Sequence, residues 1–261
     1  FMLGKRLINT TVAGAAPSCS TDTLQVLGDT SCVAYYKMSD ATDESGNYDG
    51  TPTNVNFNVA GKFGNAGSFN GSSSFISISN SILDFSQESF TISCWINSDS
   101  FSTNPCVFSK WSSTSTHRSI LATISTSGVF EVLEGTGGSN NGGSAPTSTT
   151  NLSTGIWYHL VYTRSTTEGA IYVNGVEEDR NSLSNTINNA GTDSFQLGMQ
   201  QASSKPFNGS IDQVRIFNKS LSSTEVTTLY NEVYCQPTIV PTDNFNPVIY
   251  TGDAGNNGNT L

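Results

Sequence analysis

The sequence predicts an all-β protein, a two-sheet antiparallel sandwich with one short helix near its C-terminal end. Short apolar or alternating segments, such as residues 90–96 and 129–133, recur between turns rich in Gly, Ser, Asn and Asp. Asn174-Gly175 stands between two apolar runs, which is the strongest local signal for a β-hairpin with a type I′ turn. A complete helix start signal occurs at Ser222.

The last predicted strand covers residues 207–217. Within it, Asp212, Val214 and Ile216 recur at every second position, which is the spacing of a half-buried strand. We therefore expect these three side chains to share one face of the strand. A carboxylate in apolar surroundings is costly without a partner, so Asp212 should have one.

The predicted helix covers residues 222–232 and packs on the edge of the sandwich. Ser222 followed three residues later by Glu225 matches a capping box. Leu221 and Val226 occupy the two positions of a hydrophobic staple, so Val226 should be buried.

Composition excludes several classes of partner. Charged residues make up 12% of the 261 residues, against roughly 25% in an ordinary soluble domain. The net charge is −10, and the 11 Lys and Arg residues form no run, whereas nucleic acid and anionic membranes attract clustered basic side chains. No apolar run approaches the ~20 residues of a membrane helix. We expect neither nucleic-acid binding nor membrane insertion.

The five cysteines show no metal-site spacing. Cys94 lies on the apolar face of a predicted strand and is interpreted as a small buried hydrophobic residue. Cys19, Cys32 and Cys235 flank the predicted domain and could pair if its ends meet. The sequence leaves their disulfide state open.

Several segments together resemble laminin-G-like, concanavalin-A-like jelly-roll domains over about residues 33–232. The resemblance rests on Asp43-x-Ser-Gly-Asn47, on Gly61-Lys-Phe-Gly64, and on the closing strand and helix with Gly209, Ile211-Asp212 and Leu229-Tyr230. It implies a two-sheet antiparallel jelly-roll sandwich. Residues 1–32 are then an N-terminal arm or docking segment, and residues 233–261 are a linker with the possible start of a further module.

A narrower resemblance links residues 23–35, 43–48 and 61–64 to laminin-G-like virion proteins of marine bacteriophages. It implies a tail-fibre or capsid-surface component at the virion surface. Its partners would be other virion proteins and a host cell-surface glycan. Virion appendages are commonly trimeric, so we expect a homo-oligomer, assembled through the terminal segments.

One loop offers oxygen atoms in the pattern of a cation site. Asp43, Ser45, Asn47 and Asp49 lie at every second position around Gly46, and Ca²⁺ takes six to eight oxygen ligands in irregular geometry. We expect a structural Ca²⁺ held by Asp43, Asn47, Asp49 and Asp212, as the resemblance also implies. The alternative is an Asx-rich turn, with Asp212 accepting backbone N–H groups.

No catalytic constellation emerges from the sequence. His159 lies in a predicted strand and is interpreted as structural, and the acidic residues are scattered over turns rather than paired as in a glycosidase. Trp95 and Trp157 are predicted to be core residues. Trp111 enters a loop and is the candidate exposed aromatic for ligand binding.

We therefore expect a non-enzymatic binding or structural module of a phage particle that adheres to host glycans. The alternative is a secreted bacterial carbohydrate-binding domain, which is disfavoured because Lys5 and Arg6 are not followed by the apolar segment of a secretory signal. A glycan-cleaving enzyme of the same fold is a third possibility, disfavoured by the lack of paired carboxylates.

Overall fold

The computed structural model describes residues 24–82, 89–112, 117–136, 139–140, 146–183, 187, 193–201 and 205–232. These ranges contain sixteen strands and one α-helix, α1 (Ser223–Tyr230). The strands are β1 (Cys32–Tyr36), β2 (Thr51–Thr53), β3 (Asn56–Ala60), β4 (Asn65–Asn70), β5 (Phe75–Ile78), β6 (Phe90–Ser98), β7 (Cys106–Trp111), β8 (Arg118–Ile124), β9 (Val129–Thr136), β10 (Ser139–Asn140), β11 (Thr147–Asn151), β12 (Trp157–Arg164), β13 (Glu168–Val173), β14 (Val176–Ser182), β15 (Phe195–Leu197) and β16 (Asn208–Phe217).

The strands form two eight-stranded antiparallel sheets. Sheet A has the order β14-β13-β12-β6-β16-β4-β3, with β1 also paired to β16. Sheet B has the order β10-β9-β8-β7-β15-β5-β2, with β11 also paired to β9. β16 pairs with β6 along nearly its whole length, with β4 through its first half and with β1 through its second half. Two antiparallel sheets and one short helix confirm the predicted fold class.

The main core lies between the two sheets, and alternate residues of each strand fill it. In β6, Ile92, Cys94 and Ile96 face this core, so Ser93 and Trp95 face away from it. Cys94 is a buried free thiol, which confirms its interpretation as a small hydrophobic residue. β6 is also covered on its other face, because all of its residues except Asn97 are buried.

The face of sheet A that points away from the core is called here the outer face. Helix α1 covers part of it by placing Val226 and Leu229 against a second apolar cluster on strands β1, β12, β13 and β16. Leu24, Val26 and Leu27 pack against the same cluster. Residues 24–32, which the sequence assigned to the N-terminal segment, therefore belong to the folded body.

The structure confirms two local predictions, the capping box at Ser222 and the hairpin turn at Asn174-Gly175. The Ser222 hydroxyl accepts a hydrogen bond from Glu225 N at 3.3 Å, and the Glu225 carboxylate accepts one from Ser222 N at 2.8 Å. Asn174 and Gly175 both have positive φ, as a type I′ turn requires. Helix α1 ends earlier than predicted because Asn231 leaves helical geometry and serves as the C-cap.

Residues 1–23 and 233–261 lie outside the described residues, and so do the predicted linker, Cys19 and Cys235. Cys32 is a buried free thiol. In the described part of the chain, no helix has both the length and the apolar character needed to span a membrane.

Candidate functional site

Asp43 organises the turn between β1 and β2. It is buried, and its Oδ1 accepts hydrogen bonds from Tyr35 N at 2.9 Å and Ser45 N at 3.1 Å. Its Oδ2 accepts from the Ser45 hydroxyl, from Asn47 N at 3.4 Å and from Tyr48 N at 3.2 Å. The carboxylate therefore serves the surrounding donors of its own turn, which is the Asx-type arrangement.

Asp212 lies on the outer face, and the prediction that it shares a face with Val214 and Ile216 is wrong. The physical reason is a β-bulge: Gln213 has a φ of 51°, and the pairing with β6 shifts register between Asp212 and Arg215. The bulge inserts one residue, so Val214 faces the core while Asp212 lies opposite Trp95.

The environment of Asp212 favours its protonated form. Its Oδ2 accepts a hydrogen bond from Phe63 N at 2.9 Å, whereas its buried Oδ1 has no hydrogen-bond partner in the described structure. Burial raises the pKa of Asp212 to about 7, against the opposing effect of the backbone N–H groups around it. Gly61 is needed beside it, because a Cβ there would lie 2.6 Å from Oδ2.

The predicted cation site does not fit these positions. Within the described ranges, no three His, Cys, Asp or Glu side chains are grouped so that they could hold a metal ion. Asp43 and Asp49 instead stabilise the first turn, since Asp49 Oδ1 accepts a hydrogen bond from Asp43 N at 2.9 Å. Asp212 contacts the loop before β4 rather than that turn. The occurrence of Ca²⁺ in this protein stays a prediction.

Trp95 is at the centre of an aromatic stack on the outer face. Its ring stacks on Tyr230 of α1 at 5.7 Å between centroids and lies 5.1 Å from the ring of His159. The Lys62 ammonium lies 4.3 Å from the Trp95 centroid, within cation–π range. Helix α1 thus shields Trp95 from solvent. Trp95 is buried on the outer face of sheet A and not between the two sheets, so the prediction that it belongs to the sandwich core is wrong.

His159 holds a structural position, as predicted. It is buried, and its Nε2 lies 2.8 Å from the Ser93 hydroxyl. Burial lowers the pKa of His159 to about 3, so the ring is neutral near pH 7.

Trp111 is not an exposed aromatic, contrary to the sequence-based expectation. It is 5% exposed and clusters with Cys106 and Leu121 on sheet B. As the last residue of β7 it pairs with Arg118 of β8, whose guanidinium lies over the indole ring at 5.6 Å. The side chain thus lies against the strands rather than in the loop that follows.

A buried carboxylate connects the two sheets through the core. Glu134 of sheet B accepts a hydrogen bond from Arg164 Nε of sheet A at 2.9 Å and another from the Tyr162 hydroxyl. Burial raises the pKa of Glu134, and the Arg164 charge acts in the opposite direction. The guanidinium of Arg164 and the hydroxyl of Tyr162 both donate hydrogen bonds to this carboxylate. Glu134 therefore acts as a structural cross-link between the two sheets.

The uncovered part of the outer face carries a line of side chains that we call the cross-strand row. Its members lie opposite one another on five neighbouring strands of sheet A: Trp157, Asn97, Ser210, Ser68 and Asn56. Four strand spacings of ~4.8 Å give the row a length of about 19 Å.

All five members point away from the core because their chain neighbours point into it. Those neighbours, which belong to the main core or pack against it, include Tyr158, Ile96, Ile211, Phe69 and Phe57. Gly209 allows β16 to approach β6 beside the row. Its φ is 138°, and a Cβ at that position would lie 2.2 Å from the carbonyl oxygen of Asn97.

The row is uncharged and accessible. Trp157, Asn97, Ser210 and Ser68 are partly exposed, and Asn56 is exposed. The structure thus corrects the prediction that Trp157 is a core residue. The alternation of Trp157, His159 and Val161 against Tyr158, Leu160 and Tyr162 was the sequence signal for this face.

A family model described as the concanavalin A-like lectin/glucanases superfamily matches residues 70–227, more than half of the chain. The chain belongs to this family. A search among curated proteins finds no match. The lectin-like fold of the family agrees with the two sheets described above.

Solved structures of low sequence identity share this concanavalin A-like fold. Domain 4 of AbnA, an extracellular arabinanase of Geobacillus stearothermophilus solved with arabinotriose, has a TM-score of 0.60 and 22% identity. The match covers 76% of this chain and 98% of that domain. The binding domain of botulinum neurotoxin serotype D has a TM-score of 0.58 and 18% identity over 77% of this chain. That match spans about half (51%) of the toxin domain.

Proposed function

We propose that this chain is a non-enzymatic module of a bacteriophage particle, a tail-fibre or capsid-surface component that adheres to host surface glycans. The observation that carries this proposal is the cross-strand row, a solvent-accessible line of amide and hydroxyl groups with one indole ring on a lectin-like fold. Sugar-binding sites combine such polar groups with an aromatic surface.

The charge of the molecule supports a glycan over other polymers. A net charge of −10 with only 11 basic residues disfavours nucleic acid and anionic lipid. Two relatives in fold are described in complex with another molecule: domain 4 of AbnA with arabinotriose, and the binding domain of botulinum neurotoxin DC, at a TM-score of 0.57 and 16% identity, with rat synaptotagmin II. These likenesses support a binding role for this chain.

The assignment to a phage rests on the resemblance of residues 23–35, 43–48 and 61–64 to marine phage virion proteins. In this setting the module is at the virion surface, outside the cell, with other virion proteins as partners. We expect a homo-oligomer, a trimer by analogy with other appendages, held together by residues 1–23 and 233–261. A fragment of residues 24–232 should then be monomeric in light scattering while the full chain is not, and an oligomeric fragment would contradict this arrangement.

Two measurements test the function. The purified full chain, fluorescently labelled, should bind marine bacterial cells and their extracted surface polysaccharide, and periodate oxidation of the polysaccharide should abolish binding. Antibodies against the chain should label phage particles in electron micrographs. Label on uninfected cells instead would assign the chain to a bacterium, and release of reducing sugar by the chain would contradict the non-enzymatic role.

A further inference from the structure

We propose that the cross-strand row is the glycan-binding site and that it takes an uncharged oligosaccharide lying across the strands, with one sugar ring stacked on Trp157. This inference rests on the glycan-binding function proposed above and names its site and ligand class. The structural basis of the inference is the register of five strands, which aligns the five side chains of the row.

Hydrogen-bonding capacity in the row is unused by the protein. Asn97, Ser210, Ser68 and the indole N–H of Trp157 have no side-chain hydrogen bond within the described structure, and only Asn56 has one, from Asn58 N at 3.0 Å. The nearby Asn70 is different, since its Oδ1 accepts from the backbone of Ser72, Ser73 and Ser74 and so caps its own turn. Among these groups, Asn97 Oδ1 is itself buried. The groups available to the hydroxyl groups of a ligand are therefore the two serine hydroxyls, the indole N–H and the amide NH₂ of Asn97.

Trp157 differs from the other two tryptophans of the chain in being accessible. Trp95 is covered by Tyr230, and Trp111 lies beneath Arg118 at 5% exposure. Trp157 instead is partly exposed at one end of the row. An accessible indole beside unpaired amide and hydroxyl groups offers the apolar face that the C–H side of a sugar ring contacts, together with partners for its hydroxyls.

The absence of charge in the row points to the ligand class. None of its five members is ionisable, so an acidic sugar would find no counter-charge among them. In the adjacent row of the sheet, Asp212 is buried and Lys62 lies over Trp95. Asp99, exposed just beyond the end of β6, would repel sulfate, phosphate or uronate groups. An uncharged glycan complements this surface.

The length and direction of the row indicate a chain of sugars rather than one sugar. The row crosses five strands over about 19 Å, whereas side chains along one strand alternate between faces every residue. A ligand that follows the row therefore runs roughly perpendicular to the strands and contacts β12, β6, β16, β4 and β3 in turn.

The test is a glycan array of neutral oligosaccharides built from glucose, galactose, mannose or N-acetylglucosamine, each printed beside its sulfated counterpart. The full chain should bind one or more neutral glycans, and affinity should change less than about twofold between about 0.05 M and 0.5 M salt, since no ion pair is formed. The variants W157A and N97A should each weaken that binding by roughly tenfold or more, and W157F should retain most of it because a ring remains.

The matched control is N151A, on strand β11 of the other sheet. Asn151 is exposed, and its side chain makes no hydrogen bond to any described residue. The affinity of N151A should equal that of the wild type, and thermal unfolding should show that every variant is folded. Glycan binding that survives W157A, N97A and S210A would overturn the site while leaving the proposed function standing. Binding confined to sulfated glycans would overturn the ligand class. Binding to no glycan, on the array or on cells, would overturn the proposed function itself.

Discussion

At the scale of single residues, Asp43 shows how one carboxylate can organise a turn. It is 1% exposed and accepts hydrogen bonds from the backbone of Tyr35, Ser45 and Tyr48. We predict that D43A lowers the free energy of unfolding by about 2–4 kcal/mol, because buried N–H groups lose their acceptor. Urea titration measures this.

The matched control for D43A is D40A in the same loop. Asp40 is exposed and accepts a hydrogen bond only from Thr42 N among the described residues, at 2.8 Å. The D40A substitution should lower the free energy of unfolding by less than about 1 kcal/mol. Equal effects of the two substitutions would show that Asp43 does not organise the turn.

Asp212 should make stability depend on pH. Its pKa is raised from 3.8 to about 7 by burial, so the folded protein binds more protons than the unfolded chain between these values. The contribution of Asp212 to stability is therefore fully present below about pH 4 and is lost as pH rises through about 7. We predict that D212N gains stability relative to the wild type between pH 5 and pH 8, measured by urea unfolding at each pH.

His159 acts in the opposite direction, which is why the comparison with D212N is needed. Its pKa is lowered from 6.5 to about 3 by burial, so its contribution is present above about pH 6.5 and is lost as pH falls toward 3. His159 is present in both proteins and cancels in their difference. A difference between wild type and D212N that does not change with pH would contradict the raised pKa of Asp212. If Ca²⁺ bound the Asp212 carboxylate, the stability difference between wild type and D212N would also not vary with pH. Removing Ca²⁺ with EDTA would then restore the pH dependence.

At the scale of elements, helix α1 depends on its capping box. Ser222 and Glu225 satisfy each other's backbone N–H groups, and Val226 and Leu229 then bury the helix on sheet A. We predict that S222A costs about 1 kcal/mol of stability through loss of the cap, measured by chemical unfolding. S223A, one exposed residue further on, should be nearly neutral, and a larger cost for S223A would contradict the role of the cap.

At the scale of the whole molecule, the ion pair between Glu134 and Arg164 joins the two sheets inside the sandwich. Arg164 is 2% exposed and Glu134 is 6% exposed. We predict that E134A destabilises the fold by about 3–5 kcal/mol, because a buried guanidinium loses its carboxylate. The control E131A removes a carboxylate of the same strand that accepts a hydrogen bond from the Thr123 hydroxyl. This substitution should lower the free energy of unfolding by less than about 1 kcal/mol. Thermal and urea unfolding of both variants check the difference.

The sequence by itself determined the features that local chemistry decides. Alternating apolar residues indicated the strands, Asn174-Gly175 indicated the hairpin, and Ser222 with Glu225 indicated the start of the helix, because each signal depends on residues close together in the chain. The motifs of the closing unit, together with those at residues 43–47 and 61–64, indicated the family.

Only the tertiary structure decided which faces and which strands meet. One inserted residue at the Gln213 bulge moved Asp212 to the outer face, because side chains alternate with a period of two and a single insertion reverses their direction. Trp111 was buried by its pairing with β8, and Trp157 was brought into line with Asn97, Ser210, Ser68 and Asn56 from strands far apart in the chain. Strand register depends on long-range pairing across the sheet. A local sequence pattern therefore could not predict which residues form the cross-strand row.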